Sequence, residues 1–156
     1  MAKIWKKRRG KLGAFMVLHG SWVAEAESQM GPVRCHRKLE PILGSSYLRV
    51  DVRWEFGPGE SPRVYEELAV IGVGDDGVIC FWSFTSDGKR STGRMADVTD
   101  IHPKAIGFEA DMPAGLARMA YWPAPGSGFF WAAESRTKKG WNRFVEHHYQ
   151  AAPPTS

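Results

Sequence analysis

Apolar and polar residues alternate along much of this chain with the period of two that is typical of β-strands. In residues 47–56, YLRVDVRWEF, an apolar side chain occupies every second position from Leu48 to Phe56. This pattern predicts a strand with one buried face. Clusters of Gly, Pro, Asp and Ser separate this segment from similar ones, so we expect short turns between strands.

The same pattern predicts ten strands in succession. They cover residues 21–28, 33–43, 47–56, 63–73, 78–86, 90–100, 105–112, 115–122, 129–137 and 141–150. Asp-Gly pairs follow the fourth and fifth strands, which indicates hairpins. One segment, KLGAFMVLHG at residues 11–20, is predicted to form a short helix that ends at Gly20.

Residues 72–77, GVGDDG, have the G-x-G-x-x-G spacing of a dinucleotide-binding loop. Such a loop opens a helix, whereas the residues that follow here are VICFWSF, rich in aromatic and β-branched types. The segment is therefore predicted to be a turn, with Gly74 and Gly77 supplying positive φ angles.

Ten consecutive antiparallel strands predict an all-β fold, an up-and-down barrel with one short N-terminal helix. Closure into a barrel removes the two exposed edges of an open sheet. A barrel of more than eight strands is wider than its own side chains fill, so the fold predicts an interior cavity.

Charge divides the chain unevenly. Residues 1–11 hold six of the 21 Lys and Arg and no acid, while the remainder carries 15 basic and 17 acidic residues. We expect a basic, flexible arm over 1–11, a single barrel domain over 12–150 and a tail over 151–156. The arm could contact nucleic acid or an anionic membrane, but a solvated terminus has the same composition, and no specific nucleic-acid partner is expected.

Cellular location is suggested by two features. Cys35 and Cys80, without a secretory signal, indicate free thiols in a reducing cytoplasm. No apolar run is long enough for a membrane span.

Residues 19–22, HGSW, open the first strand, and Gly20-Ser21-Trp22 resembles the Gly-x-Trp motif of calycins, the lipocalins, fatty-acid-binding proteins and their relatives. With ten strands, the chain is most similar to bacterial calycin-like domains of unknown function, and more distantly to nitrobindin. The resemblance implies that an Arg of the last strand, here Arg143, packs over Trp22 and closes the barrel. Nitrobindin continues with glycines where this chain has Ala24 and Ala26, so haem is disfavoured.

Strand parity predicts which side chains face the interior. The predicted cavity residues are Trp22, Ala24, Ala26, Arg37, Val52, Trp54, Phe108, Trp131, His147 and Tyr149. Arg143 is placed on the inward face by the same parity. The strands at 63–73, 78–86 and 115–122 are apolar on both faces and cannot be assigned, and their extra apolar surface is compatible with a homodimer.

Arg37, His147 and Tyr149, with Arg118 or Glu67 as further candidates, are polar groups aimed at an apolar interior. They would orient the polar head of a ligand, or else pair with one another. His147 and His148 are adjacent in a strand and cannot bind one metal ion together. No metal site, cofactor or catalytic residue is predicted.

The function favoured by the sequence is binding of a small, apolar or amphipathic ligand inside the barrel. One alternative is an enzyme that uses the same cavity, with His147 as acid or base and Arg37 as anion stabiliser. The other is a dimeric interaction protein with a filled barrel.

Overall fold

The computed structural model describes residues 5–57 and 61–153. Its strands are β1 (Gly20–Ser28), β2 (Gly31–Ile42), β3 (Tyr47–Phe56), β4 (Arg63–Val73), β5 (Ile79–Thr85), β6 (Arg90–Ala96), β7 (Ile106–Met112), β8 (Gly115–Pro123), β9 (Phe129–Thr137) and β10 (Gly140–Ala151). Each strand pairs antiparallel with the next, and β10 pairs with β1 to close the barrel. The predicted ten-stranded, up-and-down antiparallel barrel is confirmed.

The strand boundaries lie close to those predicted, with one clear exception. β6 ends at Ala96, whereas the sequence pattern extends to residue 100. The Asp97 carboxylate accepts hydrogen bonds from the backbone N–H and the hydroxyl of Thr99, which turns the chain out of the sheet. The following segment, residues 97–105, crosses the outer face of the barrel.

The segment predicted to be a helix is a plug for one end of the barrel. Its only helical turn is a 3-10 turn at Met16–Leu18. Phe15 and Leu18 are fully buried in the core, and the Phe15 ring stacks on Phe108 with 4.9 Å between centroids. The apolar pattern was therefore a signal of burial rather than of a regular helix, and this end of the barrel is closed.

The basic arm makes defined contacts where it is described. The indole N–H of Trp5 donates to the Lys104 carbonyl at 3.1 Å, and the Arg8 amide donates to the Gly13 carbonyl at 2.9 Å. The four residues before Trp5 lie outside the described residues. The predicted flexibility of the arm remains a prediction.

Residues 74–77 of GVGDDG form the turn between β4 and β5, as predicted. The Gly74 amide donates to the Val78 carbonyl at 2.8 Å, and Asp76 accepts a hydrogen bond from the Val78 amide at 3.1 Å. Gly77 has φ 83°, which only glycine adopts freely. The prediction of positive φ at Gly74 is wrong; its role is steric, since a Cβ there would lie 3.0 Å from the Cys80 sulfur.

The turns at the other end of the barrel, which we call the mouth, connect β1–β2, β3–β4, β5–β6, β7–β8 and β9–β10. The strands that parity left open are now assigned: Ala69, Ile71, Phe81 and Tyr121 belong to the main core inside the barrel.

Among the described residues, no helix is long and apolar enough to cross a membrane.

Candidate functional site

A pocket of about 310 Å³ opens at the mouth of the barrel. Inward-facing side chains of β2, β3 and β10 form its apolar wall, and Phe144 lies at its edge. Its polar lining consists of Glu27, Ser28, Gln29 and Glu146. Its apolar and aromatic lining consists of Val33, Trp54, Phe56, Phe144, Val145 and His147. The pocket brings together Trp54 and His147, two residues predicted from parity, with their ring centroids 5.1 Å apart.

Arg37 lies on the inner face of β2 and is only 3% exposed. Its Nη1 donates to the Tyr121 hydroxyl at 2.7 Å, and its guanidinium carbon lies 4.6 Å from the Trp131 ring centroid and 5.3 Å from that of Tyr149. Burial opposes the charge, but the Tyr121 and Tyr149 hydroxyls outweigh it and raise the pKa of Arg37 above its usual value. The barrel therefore contains a fixed positive charge.

No carboxylate among the described residues forms an ion pair with Arg37. Glu67 lies on the same inner layer, since Val52 pairs with Arg37 on one side and with Glu67 on the other. Its carboxylate accepts a short hydrogen bond from the buried Ser83 hydroxyl and influences Arg37 only through space. Glu67 is thus the carboxylate that acts on Arg37 electrostatically, without pairing directly with it.

Several buried polar atoms around Arg37 have no hydrogen-bond partner of normal geometry among the described residues. They are Arg37 Nε, Trp54 Nε1, Trp131 Nε1, His147 Nδ1 and Tyr149 Oη. Arginine and tryptophan nitrogens can only donate, while the tyrosine hydroxyl and neutral histidine each have one hydrogen to give. Each unsatisfied buried donor costs roughly 1–3 kcal/mol. Arg37 Nε, Trp54 Nε1 and Trp131 Nε1 are obligate donors, so an acceptor oxygen within their reach would satisfy them.

His147 and Cys35 lie side by side between the pocket and Arg37, with 3.8 Å between His147 Nε2 and Cys35 Sγ. Burial, followed by the positive charge of Arg37, lowers the pKa of His147 to about 4. Burial raises the pKa of the Cys35 thiol to about 12, although Arg37 opposes the shift. At neutral pH the pair is an uncharged imidazole beside an uncharged thiol.

The remaining predicted cavity residues lie at different depths. Ala24 and Val52 are buried, at 3% and 5% exposure, and Ala26 is partly buried near the mouth. Trp22 belongs to the closed end, where its N–H donates to the Leu18 carbonyl at 2.8 Å. Phe108 packs against the plug, so neither ring borders the mouth pocket.

The expected packing of Arg143 over Trp22 is wrong, because Trp22 lies beside Ala151, eight residues along β10 from Arg143. Arg143 also faces outward. The register of β10 against β9 shifts between Arg143 and Val145, so that Phe144 is an extra residue. This β-bulge reverses the parity and turns Arg143 to the outer face. There it lies over the Trp122 ring at 5.1 Å and donates to Glu134 at 2.9 Å.

Arg118 was a candidate for the interior, but it is buried on the outer face. It donates to Glu134 at 2.8 Å and to Asp100 at 2.7 and 2.9 Å, and its guanidinium lies 4.1 Å from the Trp141 ring centroid. This network attaches the segment 97–105 to β8, β9 and β10. The network lies on the outer face of the barrel and does not line the mouth pocket.

Sequence reasoning missed three residues of the site. Tyr121 lies in β8. Because β8 is apolar on both faces, the sequence pattern did not indicate which face is inward. Cys35 was expected to be a free thiol and was not included among the cavity residues. Phe144 reaches the pocket edge only because of the bulge, for which the sequence of β10 carries no evident signal.

No group of three or more His, Cys, Asp or Glu side chains among the described residues is arranged to hold a metal ion. The sequence matches no family model, and it matches no curated protein. The function must therefore be inferred from the geometry of the chain itself.

Proposed function

We propose that this protein binds a small amphipathic molecule with an anionic head, with the head at Arg37 and the apolar part in the mouth pocket. The observation that carries this proposal is the cluster of unpartnered buried donors around Arg37. A carboxylate or similar group would supply acceptor oxygens and neutralise the guanidinium, in a charge-assisted bidentate contact.

The apolar part of such a ligand would contact Val33, Phe56 and Val145, which line the pocket. Small-molecule sites commonly combine an apolar wall with a few polar groups that fix orientation. The aromatic lining and the charge behind it match this division, and favour an acyl or aryl acid over a fully apolar molecule.

The ligand head must pass three side chains to reach Arg37. The mouth pocket ends at His147 and Trp54, and Trp131 lies behind them, with its ring 5.5 Å from His147 and 4.6 Å from the guanidinium carbon. Trp54 is only partly buried, whereas Trp131 and His147 are almost fully buried. We infer that Trp54 rotates outward when the ligand enters.

The alternative of an enzyme is less well supported. A general base at neutral pH needs a pKa near 7, but that of His147 is lowered to about 4. A nucleophilic cysteine needs a lowered pKa, but that of Cys35 is raised to about 12. Both shifts suit a binding site better than a catalytic one.

A space-filling substitution tests the proposal. Ala26→Trp places an indole on the inner face of β1 next to Val33, its cross-strand partner, and should block the mouth pocket. Glu25→Trp adds the same ring one residue away on the exposed outer face. We expect a dansylated undecanoic acid probe to bind the parent and Glu25→Trp, but not Ala26→Trp. Equal binding by all three proteins would refute the mouth as the binding site.

A further inference from the structure

Large exposed apolar side chains gather at the mouth. The apolar rim consists of Met30, Val64, Phe84, Met112 and Phe144, which are between 38% and 62% exposed. Met30 lies in the β1–β2 turn, Val64 near the start of β4, Phe84 near the end of β5 and Met112 at the end of β7. Among the described residues, Leu43, in the β2–β3 turn, is the one large apolar residue so exposed at the closed end.

Part of the rim borders the entrance to the proposed site, while Phe84 and Met112 line a separate groove beside it. Phe144 lines the mouth pocket itself. Met30 and Val64 line a second pocket, of about 500 Å³, that shares Trp54 and Phe56 with the first. A surface that covers the rim would therefore face the pocket entrance directly.

The turns at the mouth are also basic. Lys89, Lys138 and Lys139 lie in these turns, and Arg63 and Arg90 begin the strands after two of them, whereas Glu27 and Asp111 are exposed carboxylates near the ends of β1 and β7. Asp87 is the one carboxylate among the described residues of these turns, and the Thr85 hydroxyl donates a short hydrogen bond to it. The mouth thus combines an apolar rim with a net positive charge.

From this combination we propose that the mouth docks on an anionic lipid bilayer. The rim side chains insert at the level of the headgroups, and the surrounding cations contact lipid phosphates. Peripheral membrane proteins use both contributions, since apolar burial adds affinity and basic residues are attracted to anionic lipid. A second copy of the chain fits less well, because two facing mouths would bring cations against cations.

The basic arm at the closed end is the competing membrane site. Its exposed residues Lys6, Lys7, Arg8, Arg9 and Lys11 form a patch of cations, but Trp5 is directed toward the barrel by its hydrogen bond to Lys104. Binding through the arm would be purely electrostatic and would disappear at high salt. Binding through the rim retains an apolar contribution at high salt. The proposal extends beyond ligand binding and does not depend on it.

Vesicle sedimentation with the full chain tests the proposal, using phosphatidylcholine vesicles with and without 30% phosphatidylglycerol, at low and at high salt. We expect preference for the anionic vesicles and residual binding at high salt. The double substitution Met30→Glu/Phe144→Glu should lower partitioning about tenfold or more, since two apolar contacts are lost. Leu43→Glu is the matched control at the closed end and should change partitioning less than about twofold.

A second pair of variants leaves every rim side chain unchanged, so the test does not depend on whether the rim substitutions allow the protein to fold. Lys138→Glu/Lys139→Glu changes charge in an exposed turn and should also weaken binding, whereas Lys6→Glu/Lys7→Glu should not. Loss of binding in the arm variant alone, or equal binding by the parent and both mouth variants, would overturn the proposal. Dimerisation of the parent that Phe144→Glu abolishes, without vesicle binding, would instead assign the rim to a second copy.

Discussion

The guanidinium of Arg37 and the hydroxyl of Tyr121 form a hydrogen bond of 2.7 Å between β2 and β8, across the interior of the barrel. Both residues are almost fully buried. The bond fixes one nitrogen of Arg37, while Nε has no partner among the described residues. Tyr121 thus holds the charge in place without neutralising it.

Tyr121→Phe should therefore destabilise the protein by about 1–3 kcal/mol, since it leaves a buried charged donor unpaired. In the absence of ligand, Arg37→Met should leave the free energy of unfolding unchanged or increase it. The reason is that an apolar side chain replaces a desolvated charge that has no ion-pair partner. Urea unfolding of the two variants measures both changes in the free energy of unfolding. A strongly destabilised Arg37→Met would show that Arg37 is a structural residue.

His147 should make stability depend on pH. Its pKa is about 4 in the fold against 6.5 normally, so below pH 6.5 the unfolded chain binds a proton that the folded chain rejects. Stability is therefore fully present above pH 6.5 and decreases as the pH falls toward 4, by roughly 3 kcal/mol for this group.

Unfolding midpoints at pH 7 and pH 4.5 measure this effect. His147→Phe should reduce the decrease, while His148→Gln, a change at the exposed neighbouring residue, should not. An NMR titration that placed the pKa of His147 near 6.5 would contradict the account of its burial.

Glu134 should contribute to stability on the outer face. Its side chain is 6% exposed and lies between Arg118 and Arg143. Glu134→Ala removes one carboxylate partner from each guanidinium, while Asp100 still pairs with Arg118 and Glu146 with Arg143, so the variant should cost about 1.5–3 kcal/mol. In double-mutant cycles, Arg143 should couple with Glu134 and show additivity with Trp22. Trp22 lies beside Ala151 at the closed end, eight residues along β10 from Arg143, so coupling between Arg143 and Trp22 would contradict the placement of these residues at opposite ends of the barrel.

Trp54 should control the rate of ligand entry. It is the partly buried ring at the end of the mouth pocket, so Trp54→Ala should speed association of an acyl probe by opening the route to Arg37, measured by stopped-flow fluorescence. Trp82→Ala removes a ring on the outer face of β5 and should leave the association rate unchanged. Equal rates in the parent and Trp54→Ala would exclude Trp54 as a gate.

Much of the fold could be predicted because period-two patterns and Asp-Gly turns report local structure directly. Parity correctly placed Arg37, Trp54 and His147 on the inner face, since each lies in a strand with one polar face. The same rule failed for Arg143, because a β-bulge reverses parity beyond it without a signal in the residue types.

The arrangement of the site could not be predicted. Arg37 and Tyr121 are 84 residues apart, and their contact depends on the register of every intervening strand and on side chains crossing the interior. The closed end shows a similar limit. The apolar spacing around Phe15 indicated burial, but the choice between a helix and a plug was made by tertiary packing.

Calorimetric titration with decanoate and decanol tests the central claim most directly. The two molecules share an apolar chain, and only decanoate carries the anionic head that Arg37 would bind. We predict that decanoate binds the parent more tightly than decanol, and that Arg37→Met loses this preference by about 10–100-fold, the equivalent of a charge-assisted hydrogen bond. Equal affinity for both molecules, or an unchanged preference in a folded Arg37→Met, would contradict the assignment of Arg37 as the anion-binding residue.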